Sequence, residues 1–191
     1  VLRDTALGRR RRDLDIVVPG AGGQIADQLA DRLGGRAIRI GGERFAAYRI
    51  TAGEDTIDIW GRGRATLETD LKRRDLTIHS VAVPDDGGPI VDPFGGLDDL
   101  VQGRLRMTTT EVFLDDPLRV LRLCRFASQL PGFAIDPATL EHARMAVEHL
   151  PEVARERIRG ELELTLAESG GRLGAQLWIA LGILPDILLD Q

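Results

Sequence analysis

Residues 115–130 read DDPLRVLRLCRFASQL, a helical pattern with arginine at Arg119, Arg122 and Arg125, while Leu118, Val120, Leu121, Leu123, Cys124 and Phe126 fill the remaining positions. At about 100° per residue the three arginines occupy a stripe roughly 120° wide, and apolar side chains cover most of the rest of the circumference. A helix of this kind has to be enclosed on nearly all sides. Its guanidiniums are costly there unless they meet anions. Two sources are open: the chain's own 30 aspartates and glutamates, or a bound phosphate ligand.

The elements that could enclose it differ along the chain. From residue 13 to about 92, short β-like runs (LDIVV, RAIRI, FAAYRI, TIDIW, LTIHSVAV) alternate with helical stretches such as QIADQLADRL, where Ile25, Leu29 and Leu33 recur at helical spacing. That half predicts a mixed sheet with helices packed on it. Turns are expected at PGAGG, GGER, DDGGP and DPFGG. After about residue 110 strands are no longer expected, and helices are predicted over 117–130, 137–149, 152–168 and 172–183. The domain change falls near 107–111. Asp116 before Pro117 and Asp136 before Pro137 each read as an N-cap followed by proline at the first helical position.

Composition narrows the function classes. The chain has 191 residues and is 43% hydrophobic, yet no apolar run approaches the roughly 18 needed to cross a bilayer, so a soluble protein without a membrane partner is expected. Nothing in the first residues marks export. Cys124 is the one cysteine, in keeping with a reducing cytoplasm. A net charge of −5 argues against gripping nucleic acid by overall basicity. Lys72 is the one lysine among 25 Lys and Arg, a bias that a GC-rich genome produces without function, so only arginine placement is informative. His79, His142 and His149 have no metal-ligand spacing with Cys124, and no G-x-S-x-G or P-loop pattern is present.

Two constellations carry chemistry. In RRDLDIVVPG, Asp13 and Asp15 at i and i+2 of a strand point to the same side, where two carboxylates repel each other unless a divalent cation, Mg²⁺ above all, sits between them. Asp58 in TIDIW could add a third carboxylate from a second strand, or be an ordinary exposed strand residue. The second constellation is Asp116, which only accepts hydrogen bonds, with Arg119, which only donates. Together they match an amino group beside a ring-nitrogen acceptor, the edge shared by cytosine and adenine and absent from guanine and uracil. The alternative for Asp116 is that it simply caps its helix.

At these residues the sequence resembles the class II tRNA nucleotidyltransferases (CCA-adding enzymes) and the similar bacterial poly(A) polymerases. VLRDTALGRRRRDLDIVV resembles their G-G-x-V-R-D…D-x-D opening, DLKRRDLTIHSVAV their R-R-D-x-x-x-N motif, and VDPFGGLDDLVQGRLR the linker that follows. DDPLRVLRLCRFA resembles their E-D-x-x-R-x-x-R helix and ERIRGEL their R-x-x-x-E element. The resemblance implies an α+β, polymerase-β-like nucleotidyltransferase head over residues 1–106 and an all-helical neck over 107–191. It implies Mg²⁺-dependent addition of C and/or A, from CTP or ATP, to the 3′ end of tRNA. Asp13 and Asp15 would hold the metal, with Asp58 as third catalytic carboxylate. Arg3 would reach the incoming nucleotide and Arg74 its sugar or phosphates. Asp116 and Arg119 would read the base, and Arg122 and Arg125 would hold the triphosphate or brace the pocket. Arg157 and Glu161 would support the templating helix; read from spacing alone they are an i,i+4 pair.

The sequence also departs from the family pattern. His79 stands where the family has asparagine and Asp115 where it has glutamate. The family's paired glycines and its body and tail helices lie outside the 191 residues, so a head plus neck is expected. Between Ile59 and Arg73 the connection is about ten residues shorter than in many relatives, which points towards CC addition. A poly(A) polymerase and a non-catalytic RNA- or nucleotide-binding relative are the rival readings.

Overall fold

The computed structural model describes residues 2–9, 13–41 and 46–183. Parts of two expected features, the GGER turn and the RRRR run of the opening motif, fall outside these residues. The chain divides into two compact units, Val1–Leu71 and Lys72–Gln191.

The first unit begins with α1 (Leu2–Ala6), followed by β1 (Asp13–Val18), α2 (Gly22–Arg32), β2 (Ala37–Ile40), β3 (Ala47–Ala52), β4 (Asp55–Gly61) and α3 (Leu67–Lys72). The four strands form one sheet in the order β1-β4-β3-β2, with β1 parallel to β4 and the other pairs antiparallel. This is the mixed sheet expected from the strand pattern. Alternation along each strand gives the sheet two different faces. One carries Ile16, Val18, Ile57, Ile59, Tyr48 and Ile50 and packs on α2, with Ala26, Ala30, Ile50 and Ile59 fully or almost fully buried.

The buried row of α2 is Gly22, Ala26 and Ala30. Of the expected apolar row, Leu29 packs against the core while Ile25 and Leu33 are exposed. Small residues win the central positions because the helix lies close to β4: a Cβ on Gly22 would stand 2.8 Å from the Gly61 nitrogen. α3 is tied to the sheet by Trp60, whose Nε1 donates to Asp70 Oδ1 at 3.1 Å.

The second unit contains α4 (Gly96–Gln102), β5 (Arg104–Leu105), α5 (Val112–Asp115), α6 (Leu118–Gln129), β6 (Ala134–Ile135), α7 (Pro137–Ala146), α8 (Arg155–Ala167) and α9 (Gly171–Leu181). The expected strand LTIHSVAV is instead a 3-10 turn at Thr77–His79 between isolated bridges, Leu76 with Met107 and Ala82 with Val91. Its backbone bends because local groups satisfy it: Leu76 N donates to Asp75 Oδ1, and Ser80 Oγ and His79 N both donate to Leu76 O. Asp99, fully buried, ties this turn to the next segment by accepting from Thr77 Oγ1 at 2.6 Å, Arg104 Nε at 2.7 Å and Arg106 Nε at 2.8 Å.

Strands do not end at residue 110, since β6 pairs in parallel with β5. The helices beyond it follow the periodic pattern closely, although α7 gives way to a 3-10 segment at Val147–Glu152. α6 is enclosed as its sequence requires, with Leu118, Val120, Leu121, Leu123, Cys124, Phe126, Ala127 and Ser128 buried and packing on α8 and α9. Gly174 makes the α9 approach possible, since a Cβ there would stand 2.6 Å from Ser128 Oγ. Burial pushes the Cys124 thiol up to about 12, which makes it a packing residue rather than a nucleophile. Asp136 caps α7, accepting from Thr139 N at 3.1 Å. Asp116 does not cap α6: the side chain accepts from Arg157 instead, and Pro117 stands at the cap position.

Candidate functional site

Each unit carries a cluster of charged side chains. In the first, the sheet face turned away from α2 carries Asp13 and Asp15, both exposed, on β1. Asp15 is the register partner of Asp58 on β4, and Asp58 is the register partner of Arg49 on β3, so the three residues form one row across the sheet. Both oxygens of Asp58 are taken by Arg49, with Nε to Oδ1 at 2.8 Å and Nη2 to Oδ2 at 2.7 Å. That bond first, then the charges of Asp58, Asp13 and Asp15, raise the Arg49 pKa against the lowering effect of burial. Among the described residues no three of His, Cys, Asp and Glu stand together as a ready metal cage. Asp13 and Asp15 nevertheless fit Mg²⁺, which binds through one or two carboxylates and completes its shell with water and phosphate oxygens. Arg3, on α1, donates to Asp4 through Nε at 2.8 Å and Nη2 at 3.0 Å.

In the second unit the arginine stripe of α6 meets anions of the protein itself. Arg122 Nε donates to Asp75 Oδ2 at 2.7 Å, and Arg125 Nε to Glu161 Oε2 at 2.7 Å. Glu161 also lies 3.8 Å from Arg122, so one carboxylate spans both cations. His79 Nδ1 lies 2.7 Å from Asp75 Oδ1, and its ring meets Phe126 edge-on at 4.4 Å between centroids. Burial pushes the Asp75 carboxyl up, but Arg122 and His79 outweigh it and hold the group well below the usual carboxylate range. The Asp75 charge in turn raises Arg122. Phe126 also lies under the Arg125 guanidinium, 4.4 Å from its carbon.

The two residues expected to read a base are held differently. Arg119 Nη1 donates to Val112 O at 3.0 Å and Nη2 to Arg73 O at 2.7 Å, so two main-chain carbonyls fix the plane of its fork. Burial lowers its pKa, but an arginine this far from neutrality stays charged. Asp116 Oδ2 accepts from Arg157 Nη2 at 2.9 Å. Arg157 therefore reaches Asp116, just before α6, and Glu161 reaches Arg125 on α6, rather than the two pairing with one another. Arg74 is half-buried in the turn after α3, next to the buried Asp75.

Sequence reasoning missed Arg49 and the part played by Asp75. Asp75 left a signal, an acid four residues before His79 inside the quoted R-R-D segment. Arg49 left only a charge in the middle of a strand, and its partner depends on the register of β3 against β4.

Residues 1–106 match the family described as the poly A polymerase head domain, and residues 132–191 the one described as "Probable RNA and SrmB- binding site of polymerase A". The chain is 35% identical over 172 residues to the CC-adding tRNA nucleotidyltransferase of Synechocystis, covering 89% of this chain and 41% of that protein. It is 36% identical over 195 residues to the A-adding tRNA nucleotidyltransferase of Deinococcus radiodurans, covering 100% of this chain and 44% of that protein. Among solved structures it is similar to the Thermotoga maritima CCA-adding enzyme complexed with tRNA CCA. The TM-score is 0.84 at 33% identity, over 98% of this chain and 46% of that one. The chain thus spans less than half the length of these relatives. Among the described residues no helix is long and apolar enough to cross a membrane.

Proposed function

The chain belongs to the family of the poly A polymerase head domain, and on that premise we propose that it forms part of a cytoplasmic, template-independent RNA nucleotidyltransferase. Residues 1–106 are the catalytic head and 107–191 the nucleotide-selecting helical neck. The reaction joins C and/or A to the 3′ hydroxyl of a tRNA from CTP or ATP, with attack at the α-phosphate and departure of pyrophosphate. The observation that carries this reading is the pair Asp13 and Asp15 on the sheet face turned away from α2, with Asp15 in register with Asp58.

Asp13 and Asp15 hold Mg²⁺, and Asp58 stands beside them as third carboxylate. When bound, the metal activates the attacking hydroxyl and offsets charge on the phosphates. Arg3 and Arg74 bind the incoming nucleotide through its sugar and phosphates. Asp116 accepts from the amino group of cytosine or adenine, and Arg119 donates to the adjacent ring nitrogen. Guanine and uracil present a carbonyl and an N–H at those places, so both contacts fail. Arg122 and Arg125 keep α6 in position through Asp75 and Glu161. No side-chain nucleophile is required.

The test is incubation of the full-length protein with Mg²⁺, labelled CTP or ATP, and tRNAs lacking CCA, CA or only the terminal A. Addition of one to three nucleotides, abolished by Asp13→Ala, is the expected result. Long A tails on general RNA would replace this reading with a poly(A) polymerase. Transfer by the Asp13→Ala protein would overturn the metal assignment.

A further inference from the structure

Asp13, Asp15 and Asp58 occupy one sheet face, and among the described residues Asp58 is the one of the three clasped at both oxygens by a guanidinium. Charge-assisted bidentate pairs of this kind are the strong ones, and Arg49 is set opposite Asp58 by the strand register rather than by a chance side-chain swing. A cation that recruited Asp58 would have to break both hydrogen bonds and then lie beside a released positive charge. The absence of a three-carboxylate group among the described residues agrees with Asp58 being turned away towards Arg49.

We propose that Arg49 is a positioning residue that withholds Asp58 from the cation, so that Asp13 and Asp15 alone set the protein's affinity for a divalent ion. The inference rests on the reading of Asp13 and Asp15 as the metal-holding pair. Arg49 offsets the repulsion among three like charges while no ion is bound, and it limits how tightly an ion can be held before substrate phosphates arrive. A loosely held cation suits an enzyme whose Mg²⁺ is completed by its triphosphate substrate.

The test uses the full-length protein without nucleotide or RNA, titrated with terbium(III) by luminescence and with Mg²⁺ as competitor. Arg49→Met should bind terbium several-fold more tightly than wild type, and Arg49→Lys, which keeps the charge but loses the fork, should show a smaller gain. Asp58→Asn should change affinity by less than about twofold while Arg49 is present. In the Arg49→Met background the same substitution should remove the gain. Unchanged or weaker binding by both Arg49 variants, with thermal melts showing them folded, would overturn the proposal. So would an Asp58→Asn protein as impaired as Asp13→Ala. If Asp13→Ala itself binds terbium like wild type, the metal reading falls, and this inference with it.

Discussion

Arg157 Nη2 donates to Asp116 Oδ2 at 2.9 Å, so a residue on α8 fixes the orientation of a carboxylate that lies 41 positions earlier at the start of α6. The pair is half-exposed, at 53% for Arg157 and 29% for Asp116, and pairs of that exposure contribute at most about 1 kcal/mol to stability. Its contribution is therefore to geometry. Arg157→Ala should melt within a few degrees of wild type but lose base choice, with UTP and GTP incorporated at the expense of CTP and ATP. Arg157→Lys, which still offers a donor to one oxygen, should recover part of the discrimination. The ratio of kcat/KM for CTP and UTP is the measurement.

Asp75 and Arg122 behave differently because the carboxylate is buried. Its pKa is depressed in the folded protein, so its contribution to stability is present above the ordinary carboxylate range and lost as pH falls below it. Asp75→Asn leaves the Arg122 guanidinium with only the more distant Glu161 as charge partner, and a loss of roughly 3 kcal/mol is expected at neutral pH. The gap between variant and wild type should narrow as the medium is acidified below about pH 4. Urea unfolding at a series of pH values checks both statements.

Much of this was legible in the sequence, and the failures share a cause. The arginine stripe of α6 and the two sheet faces follow from periodicity alone, which depends on nothing beyond the element itself. LTIHSVAV was not legible because Asp75 and Ser80 bond the local main chain and turn a strand-like sequence into a 3-10 segment. The Arg49–Asp58 pair needed the antiparallel register of β3 against β4, which the alternation within each strand does not fix. Asp116 carried a cap signature, but an arginine 41 residues away competed for its oxygens. The i,i+4 reading of Arg157 and Glu161 failed in the same way, since Arg157 bonds Asp116 just before α6 and Glu161 bonds Arg125 on it.

Gly22 is required by the approach of α2 to β4 rather than by its own backbone angles. A methyl group there would meet the main chain of Trp60 and Gly61, at 2.9 Å and 2.8 Å, and main chain cannot rotate away. Gly22→Ala should cost on the order of 1–3 kcal/mol, seen as a lowered urea midpoint with an unchanged slope.

Glu161 provides the opposite case to Arg157, although the two are one turn apart on α8. Its side chain is 10% exposed and that of Arg125 is 12% exposed, and the 2.7 Å bond between them is shielded from solvent. Removing the acid alone strands a buried guanidinium, so Glu161→Ala should lose about 3–5 kcal/mol. Replacing both members by apolar residues of similar volume removes the desolvation cost together with the attraction. Arg125→Met with Glu161→Leu should therefore be more stable than Glu161→Ala and close to wild type. If the double variant is as unstable as the single one, the pair is needed for more than charge balance, and the 3.8 Å contact from Glu161 to Arg122 is the next bond to cut. Thermal unfolding of the three proteins decides between these outcomes.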